Sequence, residues 1–173
     1  KDPARDWRLI AQPPSIRPLL TGSALVADRE EKMRILLVED DNGVRNILAK
    51  FLVEEAHSVS VAVNGREGLH LIEEFEPELV ISDIKMPEFS GLELIEASRA
   101  FSSVPFVMLT GFADTDAAVR ALKAGAWYFI LKPVNFFELK SIIDRVKDCL
   151  TLKQDLAEER VRSIERYSLD EIR

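Results

Sequence analysis

One cysteine, Cys149, occurs in 173 residues, so an internal disulfide is excluded. It falls among the apolar positions of a C-terminal helical pattern and reads as a small core residue in a reducing compartment. No apolar run approaches a membrane span, and no signal peptide is apparent. Together these absences point to a cytoplasmic protein. Basic charge is also scarce: 23 Lys and Arg stand against 30 Asp and Glu, a net charge of −7. Residues 34–150 hold 12 basic and 19 acidic side chains and carry the whole excess, while the flanks nearly cancel. With no basic patch on either side, direct nucleic-acid binding is not expected. The two histidines, His57 and His70, lack metal-ligand spacing to each other and read as ordinary solvated residues. Neither an internal repeat nor a low-complexity tract is present.

What remains suits one domain with extensions. Residues 1–32 carry Pro3, Pro13, Pro14 and Pro18 among scattered charges, with no helical or strand period. They are expected to form a flexible extension, on which Trp7, Leu9 and Ile10 are the apolar docking candidates. From Met33 the pattern changes. Arg34–Val38, residues 58–63, Leu79–Asp83, residues 106–109 and Tyr128–Leu131 are short apolar runs bounded by turn signals, as in buried parallel strands. Helical patterns alternate with them. Val44, Ile47, Leu48, Phe51 and Leu52 share one face, with Asp41 or Asn42 as N-cap. Further helices are expected over 66–75, 91–100 (capped by Ser90) and 115–124 (capped by Asp114 and ended by Gly125). The last begins after Pro133, with a buried stripe of Leu139, Ile142, Ile143, Val146, Cys149 and Leu150. The expected fold is a doubly wound α/β domain, (βα)5, with a five-stranded parallel sheet over residues 33–150.

Beyond residue 150 the chain stays helical in character, with Leu152, Leu156, Val161 and Ile164 as apolar positions but no strict heptad. Ser168, Leu169, Asp170 and Glu171 resemble a capping box that opens a further helix. Residues 151–173 are therefore expected to be a helical linker leading to an output domain.

The strand ends concentrate chemistry. One strand runs into Glu39, Asp40 and Asp41, another ends in Asp83, another in Thr110, and another in Lys132 followed by Pro133. In open α/β sheets ligands bind beyond the carboxyl ends of the strands. Asp41 and Asp40 acting only as caps would explain one corner of this arrangement and leave the other three without a reason.

The set resembles the receiver domain of two-component response regulators over about residues 33–150. That resemblance implies the flavodoxin-like strand order 2-1-3-4-5. It implies that Asp83 accepts a phosphoryl group from a histidine kinase or phosphotransfer protein, and that Glu39 and Asp40 form the acid pair. It further implies that Thr110 is the switch hydroxyl, that Lys132 is the partner lysine before a cis Pro133, and that Phe129 is the switch aromatic. Clustered carboxylates raise one another's pKa unless a cation sits among them, and hard oxygen donors suit Mg²⁺. Asp40 is expected to bind the ion directly, Glu39 through water, and the backbone carbonyl of Lys85 to complete the protein's share. Lys85 and Phe112 flank the phosphoryl position and are expected to slow its hydrolysis. Output is expected through the face of the fourth helix, fifth strand and fifth helix, with a possible homodimer there and along the C-terminal helix. The helical run around Ala121 to Ala126 resembles receivers of transcriptional regulators.

An enzyme reading competes with this one. Haloacid-dehalogenase-type phosphatases also use an aspartyl nucleophile with Mg²⁺, Thr and Lys. Their nucleophile strand carries a second acid two residues on for proton transfer; here that position is Lys85. The chain is accordingly expected not to be an enzyme beyond self-phosphorylation from small donors and self-dephosphorylation.

Overall fold

The computed structural model describes residues 32–111 and 115–170. The expected N-terminal extension, the lifetime residue Phe112 and the cap Asp114 lie outside them. The chain forms two units divided between Val134 and Asn135.

The first unit alternates β1 (Arg34–Val38), α1 (Asn42–Glu54), β2 (Ser58–Ala62), α2 (Gly65–Phe75), β3 (Leu79–Asp83), α3 (Gly91–Ser98), β4 (Phe106–Thr110), α4 (Thr115–Lys123) and β5 (Tyr128–Leu131). All strand pairs are parallel, in the order β2-β1-β3-β4-β5. The three central strands are apolar along nearly their whole length because both faces of a parallel sheet are covered. Ile35, Leu36, Leu79, Ile81, Phe106 and Met108 are accordingly shut off from solvent.

Local sequence sets each helix start. The Asp41 side chain accepts from the backbone N–H of Val44, and Asn64 from that of Glu67. Ser90 and Glu93 form a reciprocal capping box on α3. The α4–β5 turn uses Gly125 at φ +98, a left-handed conformation that a side chain would strain. A different constraint acts at Gly91: a Cβ there would stand 2.1 Å from the Asp83 carbonyl oxygen. The start of α3 therefore rests directly on the end of β3.

Two sequence expectations in this unit change. Ile47, placed on the core face of α1, is 60 % exposed, whereas Leu48 and Leu52 are buried. The buried face of α1 is narrower than the apolar pattern suggested, and Ile47 lies at its edge. Helix α3 ends at Ser98 rather than at residue 100.

The second unit is one helix, α5 (Phe136–Asp170). Leu139, Ile142, Ile143 and Val146 are buried, while Leu152, Leu156, Val161 and Ile164 are exposed. Cys149 is exposed, contrary to its expected core position. It lies seven residues past Ile142 and three past Val146, so it continues their stripe, but full burial along that stripe stops at Val146. No new helix opens at Ser168; α5 continues through it to Asp170. A capping box works only where the preceding backbone has left the helix, and here it has not. Among the described residues no helix is long and apolar enough to cross a membrane.

Candidate functional site

The sheet register assembles the site. Val38 pairs with Ser82, and Asp83 pairs with Leu109. One step beyond Val38, the Glu39 N–H still donates to the Ala62 carbonyl at 3.1 Å, so β1 keeps its ladder for one more residue. Glu39 and Asp83 thus stand side by side on neighbouring strands, about 5 Å apart in the hydrogen-bonding direction. The same extension occurs on the other strands: Ile84 N–H donates to Leu109 O, and Lys132 N–H to Thr110 O. The catalytic-type side chains therefore sit on the last rigid backbone before each loop begins.

Lys132 ties the acids together. Its Nζ donates to Glu39 Oε2 at 2.7 Å and to Asp83 Oδ2 at 2.6 Å. The other Asp83 oxygen, Oδ1, accepts from the Lys85 N–H at 3.1 Å. Glu39 Oε1 accepts from the Asp41 N–H at 3.2 Å. Glu39 is fully buried, Asp83 and Thr110 nearly so, and Asp40 is exposed. Asp41 turns away as the α1 cap and takes no part in the cluster.

The charges in this cluster pull in opposite directions. Burial pushes the Glu39 carboxyl above its ordinary range; its hydrogen bond to Lys132 pulls the other way, and repulsion from Asp83 raises it again. Burial lowers the Lys132 ammonium, but its hydrogen bonds and attraction to Asp83 and Glu39 outweigh that and hold it above the ordinary lysine value. The two directions are consistent. Lys132 has two carboxylates for partners, whereas Glu39 has one cation and one rival acid.

One oxygen from each of Glu39, Asp40 and Asp83 lies within 4.8 Å of the others. Hard oxygens in such a cluster, two of them on acids sharing a single ammonium, fit a small divalent cation. The structure thus brings Glu39, Asp40, Asp83 and Lys132 together, with Lys85 contributing its backbone to the same carboxylate. Thr110 ends the adjacent strand β4, and its Oγ1 lies 3.5 Å from the Gly111 carbonyl. The peptide bond between Lys132 and Pro133 is cis. Phe129 is exposed on β5, paired with Met108 rather than set in the core, and Trp127 is half-buried. Arg45 was not singled out from the sequence. Its guanidinium donates to the Glu39 and Asp40 carbonyls at 2.8 and 3.2 Å and to Asn42 Oδ1 at 2.7 Å.

Comparison with known proteins adds an independent line. The family model for the response regulator receiver domain matches residues 35–144. The chain is 32 % identical over 124 residues to the regulatory protein AtoC of Escherichia coli, covering 71 % of this chain and 27 % of AtoC. It is 33 % identical over 143 residues to the transcriptional regulatory protein PdtaR of Mycobacterium tuberculosis, covering 80 % of this chain and 70 % of PdtaR. Among solved structures it is similar to a CheY-like response regulator receiver domain protein from Methanospirillum hungatei, at 34 % identity and TM-score 0.66, covering 70 % and 98 % of the two chains. The chain thus spans about a quarter of AtoC and most of PdtaR and the Methanospirillum domain. These similarities lend nothing to the haloacid-dehalogenase-type alternative.

Because the folded state holds the Glu39 carboxyl raised, the fold binds that proton more readily than the unfolded chain. Stability from this group is present at low pH and is lost as pH rises through the raised value. In chelator at neutral pH, Glu39→Gln should therefore melt higher than the parent protein. The advantage should shrink as pH falls through the raised value and be gone below about pH 4, where the unfolded carboxyl also takes up its proton. A lower melting temperature at neutral pH would contradict the assigned balance of burial over ion pairing.

Proposed function

The chain belongs to the response regulator receiver domain family, and we propose that Asp83 accepts a phosphoryl group from a histidine kinase or phosphotransfer protein. The observation that carries this is the Lys132 bridge, which holds Asp83 beside Glu39 at the carboxyl edge of the sheet. A carboxylate oxygen of Asp83 attacks phosphorus, the P–N bond of the phosphohistidine breaks, and the imidazole leaves. Such transfers depend on in-line positioning and on neutralising the equatorial oxygens rather than on acid–base chemistry. Asp40, Asp83, Glu39 and the Lys85 carbonyl would hold Mg²⁺, which would supply part of that neutralisation. Lys132 supplies more by shifting from the Asp83 carboxylate to a phosphoryl oxygen, and the Thr110 hydroxyl contributes a further donor. Self-phosphorylation from small donors and slow self-dephosphorylation are the only chemistry assigned to the domain. Phe112 and the side chain of Lys85 are proposed to obstruct the attacking water; Phe112→Glu should shorten the phosphoryl lifetime.

Output is proposed to run through Thr110 and Phe129 to the surface of α4 and β5, where Val119, Leu122, Phe129 and Leu131 are exposed apolar side chains. For α5, its exposed Leu152, Leu156, Val161 and Ile164 support docking with a second copy of the chain. Helical stability in proteins comes mainly from packing an apolar face rather than from propensity, so this exposed stretch gains from an apolar partner.

Treatment with a small phosphodonor and Mg²⁺ should add one phosphate by intact mass, and Asp83→Asn should take up none. Persistent labelling of Asp83→Asn would overturn the assignment. In sedimentation at tens of micromolar, the phosphorylated full chain should be dimeric, and a chain ending at Leu150 monomeric. Equal behaviour of the two would remove the proposed role of α5.

A further inference from the structure

The three acids that follow β1 face in three directions: Glu39 inward, Asp40 outward, and Asp41 onto the α1 cap. Something must hold the backbone between them in one conformation, because the carboxylates of Glu39 and Asp40 converge with Asp83 only if successive peptide units keep a fixed orientation. The sheet holds this segment as far as the Glu39 N–H, which still bonds to Ala62. Past that point the carbonyls of Glu39 and Asp40 are taken by Arg45, in the first turns of α1. One guanidinium nitrogen, Nη1, donates to both carbonyls, and Nη2 donates to Asn42 Oδ1. The Arg45 backbone N–H also bonds to the Asp41 carbonyl at 2.9 Å. The side chain thus fastens the start of the helix to two consecutive peptide units of the loop that carries the acids.

We propose that Arg45 is a positioning residue for the divalent cation: its planar fork fixes the loop so that Glu39 and Asp40 present their carboxylates at one point. This rests on the reading of that cluster as an Mg²⁺ site. Charge alone does not account for Arg45, since a guanidinium beside the acids opposes a divalent cation. The geometry must therefore outweigh a repulsion. Lysine cannot reproduce the arrangement, because its single ammonium could reach the two carbonyls but has no second nitrogen, in a fixed plane, to anchor on Asn42 Oδ1 at the same time. Groups that orient metal ligands from behind typically change metal affinity by about 10–100-fold when removed.

Calorimetric titration of the unphosphorylated full chain with Mg²⁺ tests this, comparing the parent protein with Arg45→Lys and Arg45→Met. Both variants should raise the Mg²⁺ Kd by about tenfold or more. Phosphorylation by a small donor should need correspondingly more Mg²⁺ yet reach the parent maximal rate once the ion is saturating. A residue that serves only the helix would lower the melting temperature in chelator and leave the Kd unchanged, which would overturn the proposal. Tighter binding by Arg45→Met would also overturn it, by showing that charge dominates. Arg45→Lys keeps the charge and the helix, so a folding loss in Arg45→Met leaves the test intact. If the parent protein binds no Mg²⁺, the underlying reading falls and this one with it. Firm parent binding with unchanged variants removes this proposal alone.

Discussion

The ammonium of Lys132, shared between a fully buried Glu39 and a nearly buried Asp83, is the interaction on which the site depends. Removing two carboxylates from water at neighbouring sheet positions carries a desolvation cost and adds mutual repulsion. A single cation between them offsets both. The compensation is incomplete, since the Glu39 carboxyl remains raised while the lysine is held in its charged form. Residual negative charge at a fixed place is what a metal-assisted phosphoryl acceptor needs. On the function proposed above, the ammonium keeps the acids in place until a second cation and a phosphoryl group arrive.

That arrangement is inherited from the sheet rather than built by the loops. Parallel register places Glu39 beside Asp83, and ladder bonds that run one residue past β1, β3 and β5 keep the site positions on rigid backbone. Glu39, Asp83 and Lys132 are therefore held by the sheet itself, and only Asp40 depends on its loop. The contact of Gly91 with the Asp83 carbonyl ties α3 to the same point, so the β3–α3 loop has little freedom at its two ends. The Arg45 clasp does the equivalent work for the loop after β1.

Much of this was legible in the sequence, for identifiable reasons. Strands buried on both faces are continuous apolar runs, and each ends in a polar residue where the chain meets solvent, so Asp83, Thr110 and Lys132 were readable as one edge. The α1 cap was readable only as Asp41 or Asn42, since both residue types are favoured N-caps; the structure gives it to Asp41. Burial at the margins was less readable. Ile47 and Cys149 fit the helical period but sit at the rim of their stripes, and periodicity does not define how wide a stripe is. At Ser168 a local capping signal lost to the continuing helix. Arg45 left no trace at all, since a long side chain that bonds to backbone carbonyls obeys no residue pattern.

The central claim is that Lys132 hands its hydrogen bond from the Asp83 carboxylate to an incoming phosphoryl group. A crystal structure with Mg²⁺ and beryllofluoride tests it most directly. The fluoride group should be bound to Asp83, with Lys132 Nζ on one of its fluorines and the ion on Asp40. A beryllofluoride group bound elsewhere, or Lys132 still on Asp83 Oδ2 in its presence, would contradict the account.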